Sequence, residues 1–367
     1  MSRKRIKSTF AAAACRLGID KVAGAANGRL KMPVIVGYHR VVEDFVSSSQ
    51  TAIPSLLITP QMLERQLDWI GRRHRFIDVD ELAQRLESGE DSGKPVAAVT
   101  FDDGYRDFYE IALPLLRRKG IPSALFVVTD LVGTMRTQIH DRLYLLLKRR
   151  TAPIGELSRR LPAPYTGAQL PHISEMSPYN ATRALLEHAP LDLLEQVATT
   201  LDAEEPVPPE LFRDMHSVDW DTVRRIRDAG VAIGSHTSGH VLMPNESPER
   251  VADEAGNSRR EIEHHLGTRV QHFAYPSGFF NADSVHAVAS AGYRCAYTTC
   301  SHRDAGFPML TLPRTLLWER SCVDHRLDFS ESILRCQIRG TFDFLGGCRQ
   351  HHAVQRSLSP ARDRAYA

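Results

Sequence analysis

A chain of 367 residues that is 42% apolar and 25% charged has the make-up of a soluble globular protein, with a core large enough to need no disulfide staples. Its formal net charge of +2 gives no global signal for a nucleic-acid partner, and none is expected. Six cysteines without a Cys-x-x-Cys pair exclude a zinc knuckle or a disulfide framework, and reduced thiols fit a cytoplasmic address.

Residues 1–31 read as a basic, partly helical leader: Arg3, Lys4, Arg5, Lys7, Arg16, Lys21, Arg29 and Lys31 stand against Asp20 alone. Such a segment either stays solvated or touches an anionic membrane peripherally. Phe10 to Cys15 imitates an export signal, but the run is mostly alanine and meets Arg16 at once, short of the roughly 7–15 strongly apolar residues required. No window approaches the ~20 apolar residues of a membrane span.

From Met32 the chain takes up a strand–helix rhythm. Buried strands are expected at 32–38, 76–79, 95–99 and 123–128, with Thr59 and Asp80 capping the helices between them. Continuous apolar strands separated by amphipathic helices argue for a parallel sheet. The rhythm breaks over about 133–215, a mostly helical insertion that is either a substrate wall or a spacer. It returns with strands at 231–235, 272–275 and 295–298 and a strand end at Leu312-Pro313-Arg314. Residues 321–367 read as a helical extension with a frayed tail.

Two stretches carry chemistry. Asp102 and Asp103 lie in Thr100-Phe101-Asp102-Asp103-Gly104-Tyr105, just after the strand expected at 95–99, and adjacent carboxylates in a low-dielectric pocket repel unless a cation or shared proton intervenes. A polar turn is the bland reading of Asp-Asp-Gly. His236 and His240 follow another strand, and would meet on one face if the loop took a helical turn. Two imidazoles suit a borderline metal such as zinc. Parallel-sheet and barrel enzymes place their chemistry at the C-terminal ends of strands, where both stretches fall.

Thr-Phe-Asp-Asp-Gly, Ser-His-Thr-x2-His and Phe-Ala-Tyr-Pro-Ser-Gly, in that order, resemble the polysaccharide deacetylase family, the NodB-homology group also called carbohydrate esterase family 4. Tyr38-His39-Arg40-Val41, the Ala291-Gly292-Tyr293 turn and Leu312-Pro313-Arg314 fit it too. The resemblance covers roughly residues 32–320 outside the insertion. It implies a deformed (β/α)7-type TIM-like barrel holding one divalent ion, Zn2+ first and Co2+, Ni2+ or Mn2+ as alternatives. By the same resemblance Asp103, His236 and His240 are the ligands, Asp102 is the catalytic base, and the loop Tyr275, Pro276, Ser277 and Gly278 lends a backbone N–H to the oxyanion.

The sequence departs from the family pattern in two places. Ala274 stands where many members carry an Arg that holds the base, and Arg314 is the candidate replacement. The usual late Leu-His-Asp is missing, so His39 is the candidate general acid, ahead of His302. The expected substrate is an acetylated glycan, with an acyl or formyl group on a small amide or lipid-linked sugar as the alternative, and a silent glycan-binding protein as a third reading. The sequence says nothing of oligomeric state.

Overall fold

The computed structural model describes residues 3–30, 32–89, 94–151, 176–343 and 352. Its centre is a ring of parallel strands: β1 (Val34–Tyr38), β2 (Arg75–Phe76), β3 (Val96–Phe101), β4 (Ser123–Val127), β5 (Ala232–Ser235), β6 (His272–Ala274), β7 (Cys295–Thr298) and a split β8 (Leu312–Pro313 and Thr315–Leu316). The short β2 pairs only with the start of β3, off the main path. The first half of β8 pairs with β7 and the second half with β1, so β8 closes the ring and Arg314 sits at its break. Every residue of β3 and β4 is buried. That matches the unbroken apolar runs of a sheet covered on both faces.

Capping decides where several helices begin. Thr59 accepts from Met62 N, as expected, whereas the next helix starts two residues earlier than its sequence signal: Asp78, not Asp80, accepts from Glu81 N. The expected strand over 76–79 is correspondingly short. Asp80 is drawn instead to His272 Nε2 at 2.9 Å.

Helices α1 (Arg3–Leu17) and α2 (Ile19–Ala26) lie against the body of the protein. Ala11 and Ala14 are buried, and Cys15 Sγ donates to Ser332 O near the start of α7 (Glu331–Ile338). Asp20 is fully buried and takes Arg335 Nε at 2.6 Å. The segment between β4 and β5 holds α3 (Ile139–Arg149), α4 (Pro178–His188) and α5 (Leu191–Glu204), with α4 and α5 both packed on α3. After β5, α6 (Pro248–Leu266) runs back along the barrel. The frayed tail expected beyond about residue 350 lies outside the described residues, apart from His352.

Candidate active site

The C-terminal ends of β3 and β5 bring the two carboxylates and two imidazoles together. Asp103 takes a φ of 73°, Thr237 of 68° and His240 of 60°. Left-handed backbone at non-glycine residues costs on the order of 1–3 kcal/mol each, and concentrates where function holds a side chain in place. The His236–His240 loop therefore reaches its geometry without the helical turn expected from its spacing. One carboxylate oxygen of Asp103 and one ring nitrogen each of His236 and His240 lie within 4.8 Å of one another, all three side chains buried.

Neither oxygen of buried Asp103 has a hydrogen-bond partner, although His240 Nε2 lies 3.2 Å and His236 Nε2 3.6 Å from Oδ1. Two orphaned carboxylate oxygens in a buried pocket are an unpaid desolvation penalty unless a cation is bound there. His236 Nδ1 is 2.7 Å from Ala274 O. A carbonyl only accepts, so Nδ1 carries the proton and Nε2 faces Asp103 with its lone pair free. Burial lowers the His236 pKa to about 4, so the ring presents that lone pair at neutral pH. The residues present fit a divalent ion held by one carboxylate and two imidazoles.

Asp102 lives in a different electrostatic world. Arg314 Nη1 and Nη2 donate to its two oxygens, each at 2.7 Å, and Nη1 also reaches Thr100 Oγ1 at 3.0 Å. Burial raises the Asp102 pKa, but the Arg314 charge, with His236 behind it, holds the carboxyl below its usual range. The guanidinium lies over Phe126 and Tyr297, 5.5 and 5.9 Å from the ring centroids. Ala274 is thus compensated from the next strand but one. Burial also raises Asp103, and the imidazoles of His240 and His140 more than reverse it.

The cleft above these residues has a volume of about 360 Å³ and is lined by His39, Asp103, His140, His240, Ser277 and Trp318 among others. His39 is half-buried at the end of β1 and faces the cleft. His302 does not: its ring stacks on His352 at 4.2 Å. The Tyr275–Gly278 loop narrows to one usable amide. Tyr275 N donates to Tyr297 O, Gly278 N to Tyr275 O, and Pro276 has no N–H, which leaves the Ser277 N–H. Ser277 has a φ of 55°, and a Cβ at Gly278 would come within 2.2 Å of Thr299 Oγ1.

The segment between β4 and β5 supplies residues that no motif announced. Gln138 Nε2 donates to Asp103 O at 3.2 Å, and Ser217 Oγ approaches the same carbonyl at 3.4 Å, so the two ends of the segment grip the Asp103 turn. His140, at the start of α3, puts Nε2 3.9 Å from Asp103 Oδ2 and its ring 4.9 Å from that of His240. Tyr105 Oη joins His140 Nε2 at 2.9 Å and donates to Asp141 Oδ2 at 2.6 Å. The only sequence signal was a His-Asp pair opening an apolar helical run. On α4, Tyr179, Arg183, Leu186 and Glu187 form one wall of the cleft.

Comparison with known proteins bears on the family and the fold. The chain spans about half the length of one curated relative, a poly-beta-1,6-N-acetyl-D-glucosamine N-deacetylase of Staphylococcus epidermidis: 29% identity over 144 residues, 36% of this chain and 48% of that one. YxkH of Bacillus subtilis is 18% identical over 280 residues, 75% of this chain and 68% of its own. The fold resembles that of the Streptococcus pyogenes deacetylase PplD, with a TM-score of 0.51 at 17% identity over 79% of this chain and 93% of that one. The model of one family, described as polysaccharide deacetylase, matches residues 89–163 and 179–296, more than half of the chain. The chain belongs to the polysaccharide deacetylase family.

Proposed function

We propose that this protein is a metal-dependent N-deacetylase, hydrolysing the acetamide of N-acetylated amino-sugar residues in a glycan polymer or oligomer. The observation that carries the reading is the contrast between adjacent carboxylates. Asp103 sits beside His236 and His240 with both oxygens orphaned, and each oxygen of Asp102 is paired with Arg314. A structural ion pair needs only the second half of that arrangement.

Asp103, His236 and His240 would hold the ion, a donor set that suits zinc ahead of cobalt, nickel or manganese. When bound, the ion supplies Lewis acidity, polarising the acyl carbonyl and making a water acidic enough for a base as weak as Asp102. Asp102 would take the proton from the attacking water as the new bond to the carbonyl carbon forms. Arg314 keeps the carboxylate ionised and fixes its two oxygens, so the accepting lone pair is aimed before substrate arrives. The Ser277 N–H is the backbone donor available to the developing oxyanion. Protonated His39, which also lines the cleft, would donate its proton to the amine nitrogen as the C–N bond breaks, releasing acetate and a free amino sugar.

The sugar polymer in the name of the Staphylococcus relative makes a β-1,6-linked N-acetylglucosamine oligomer the first substrate to try. After chelation and reconstitution with each metal in turn, acetate release is measured on β-1,6- and β-1,4-linked N-acetylglucosamine oligomers and on an O-acetylated glycan. Metal-dependent release from an N-acetylated oligomer is expected. No release with any metal, alongside measurable glycan binding, would replace this reading with a silent binding protein.

A further inference from the structure

Ten large apolar side chains stand exposed among the described residues, and six of them fall between residues 6 and 30: Ile6, Phe10, Leu17, Ile19, Val22 and Leu30. On α1 the pattern is ordered. Ile6, Phe10, exposed Ala13 and Leu17 follow one another at i, i+4, i+7 and i+11, which places them in one narrow stripe of a helix. The opposite side of the helix uses small residues, Ala11, Ala14 and Cys15, to pack against the protein body. A helix that buried its best apolar face would do the reverse. Here the large side chains are kept outward and the small ones inward.

Charge follows the same arrangement. Arg5 and Arg16 are exposed along one border of the stripe, and Lys21 continues it on α2. Beside α2 a basic cleft of about 450 Å³ is lined by Lys21, Arg29, Arg73, His74, Arg335 and Arg339, with exposed Leu30 at its edge. Asp20 pairs with both Arg335 and Arg339, Glu331 with Arg73 and Asp343 with Arg29, so these carboxylates neutralise part of that charge.

We infer that α1 and α2 form a docking face for an anionic lipid bilayer. The apolar stripe enters the headgroup region, and the flanking arginines and basic cleft take lipid phosphates. The pattern of large apolar side chains bordered by cations is that of helices lying in a membrane interface. Among the described residues no helix is long and apolar enough to cross a membrane, so contact is peripheral. The other occupants fit less well. Residues 344–367 carry Arg349, Arg356, Arg362 and Arg364 against Asp363 alone, a charge balance of the same sign as this face. A second copy of the chain would bring two basic borders together. The inference is independent of the deacetylase reading, since none of these residues lines the catalytic cleft.

The test is flotation of the full chain with vesicles of phosphatidylcholine alone and of phosphatidylcholine with phosphatidylserine. Wild type should float only with the anionic vesicles and be released as salt rises. Ile6→Ser/Phe10→Ser/Leu17→Ser should lower partitioning at least tenfold with an unchanged far-UV spectrum and unchanged acetate release from a soluble oligomer. Arg5→Glu/Arg16→Glu keeps the stripe and should lower it by roughly fivefold or more per charge. Wild type that stays unbound, or floats equally well with neutral vesicles, overturns the inference. So does wild type that elutes as a dimer and is made monomeric by the triple variant, which would assign the stripe to self-association.

Discussion

The cleft has two halves that differ in how they are built. The barrel half presents Asp102, Asp103, His236, His240 and Arg314 from strand ends, each nearly fully buried and held by backbone strain, by a bidentate ion pair or, for His236, by a hydrogen bond to Ala274 O. The other half comes from the segment between β4 and β5: His140 beside Asp103, and Tyr179 and Arg183 along α4, where Tyr179 is 38% exposed. Rigid parallel strands fix reacting groups to fractions of an ångström, while half-exposed helical side chains shape the space around a substrate. The barrel half is accordingly assigned the chemistry and the inserted half the fit.

That contrast can be broken by substitution. The largest effect is expected from Asp103→Ala, which should lose the bound ion by metal analysis and lower turnover by about 10³-fold or more. Next comes Arg314→Ala. With the two side chains only 1% and 3% exposed, the change leaves a buried carboxylate unpaired, at about 3–5 kcal/mol in thermal or urea unfolding. The pH dependence has a definite sign. Asp102 is held below its usual pKa, so the pair stabilises the protein above the ordinary carboxylate pKa. That stabilisation is lost as pH falls through the lower folded-state value. Arg314→Ala should therefore lose the acid-side slope of stability, and an unchanged slope would detach Arg314 from Asp102.

Effects in the inserted half should be smaller and of another kind. His140→Ala removes a neighbour of Asp103 and an anchor of Tyr105, and should weaken metal affinity by roughly 10–100-fold without abolishing turnover at saturating metal. Tyr179→Ala and Arg183→Ala should raise KM on an oligomer by roughly tenfold or less and leave kcat alone, the mark of binding shared by ground and transition states. Should Tyr179→Ala lower kcat as severely as a barrel substitution, the division of labour between the halves would fail.

The same contrast explains what the sequence revealed. Asp102, Asp103, His236 and His240 were legible because each follows an apolar strand, and strand ends in a parallel barrel converge on one mouth. Arg314 was legible as a candidate because Ala274 left a carboxylate in need of a cation. Its bidentate grip depends on β8 breaking at that residue, which no local pattern encodes. His140 and Gln138 were missed because they act across a tertiary contact, from an irregular segment whose periodicity announces helices but not neighbours. The oxyanion loop was legible as four residues, and hydrogen bonding to Tyr297 O and Tyr275 O reduces its usable amides to that of Ser277. Asp80 lost its cap to Asp78 because two aspartates two residues apart offer the same local signal, and His272 claims one of them.

We assign the neighbouring aspartates separate offices, Asp103 on the ion and Asp102 as the base. Asp102→Asn tests this assignment most directly, with bound metal and acetate release measured on the same preparation. The account predicts wild-type metal content with acetate release lowered by about 10²–10⁴-fold. Full acetate release from an N-acetylglucosamine oligomer at wild-type metal content would contradict it.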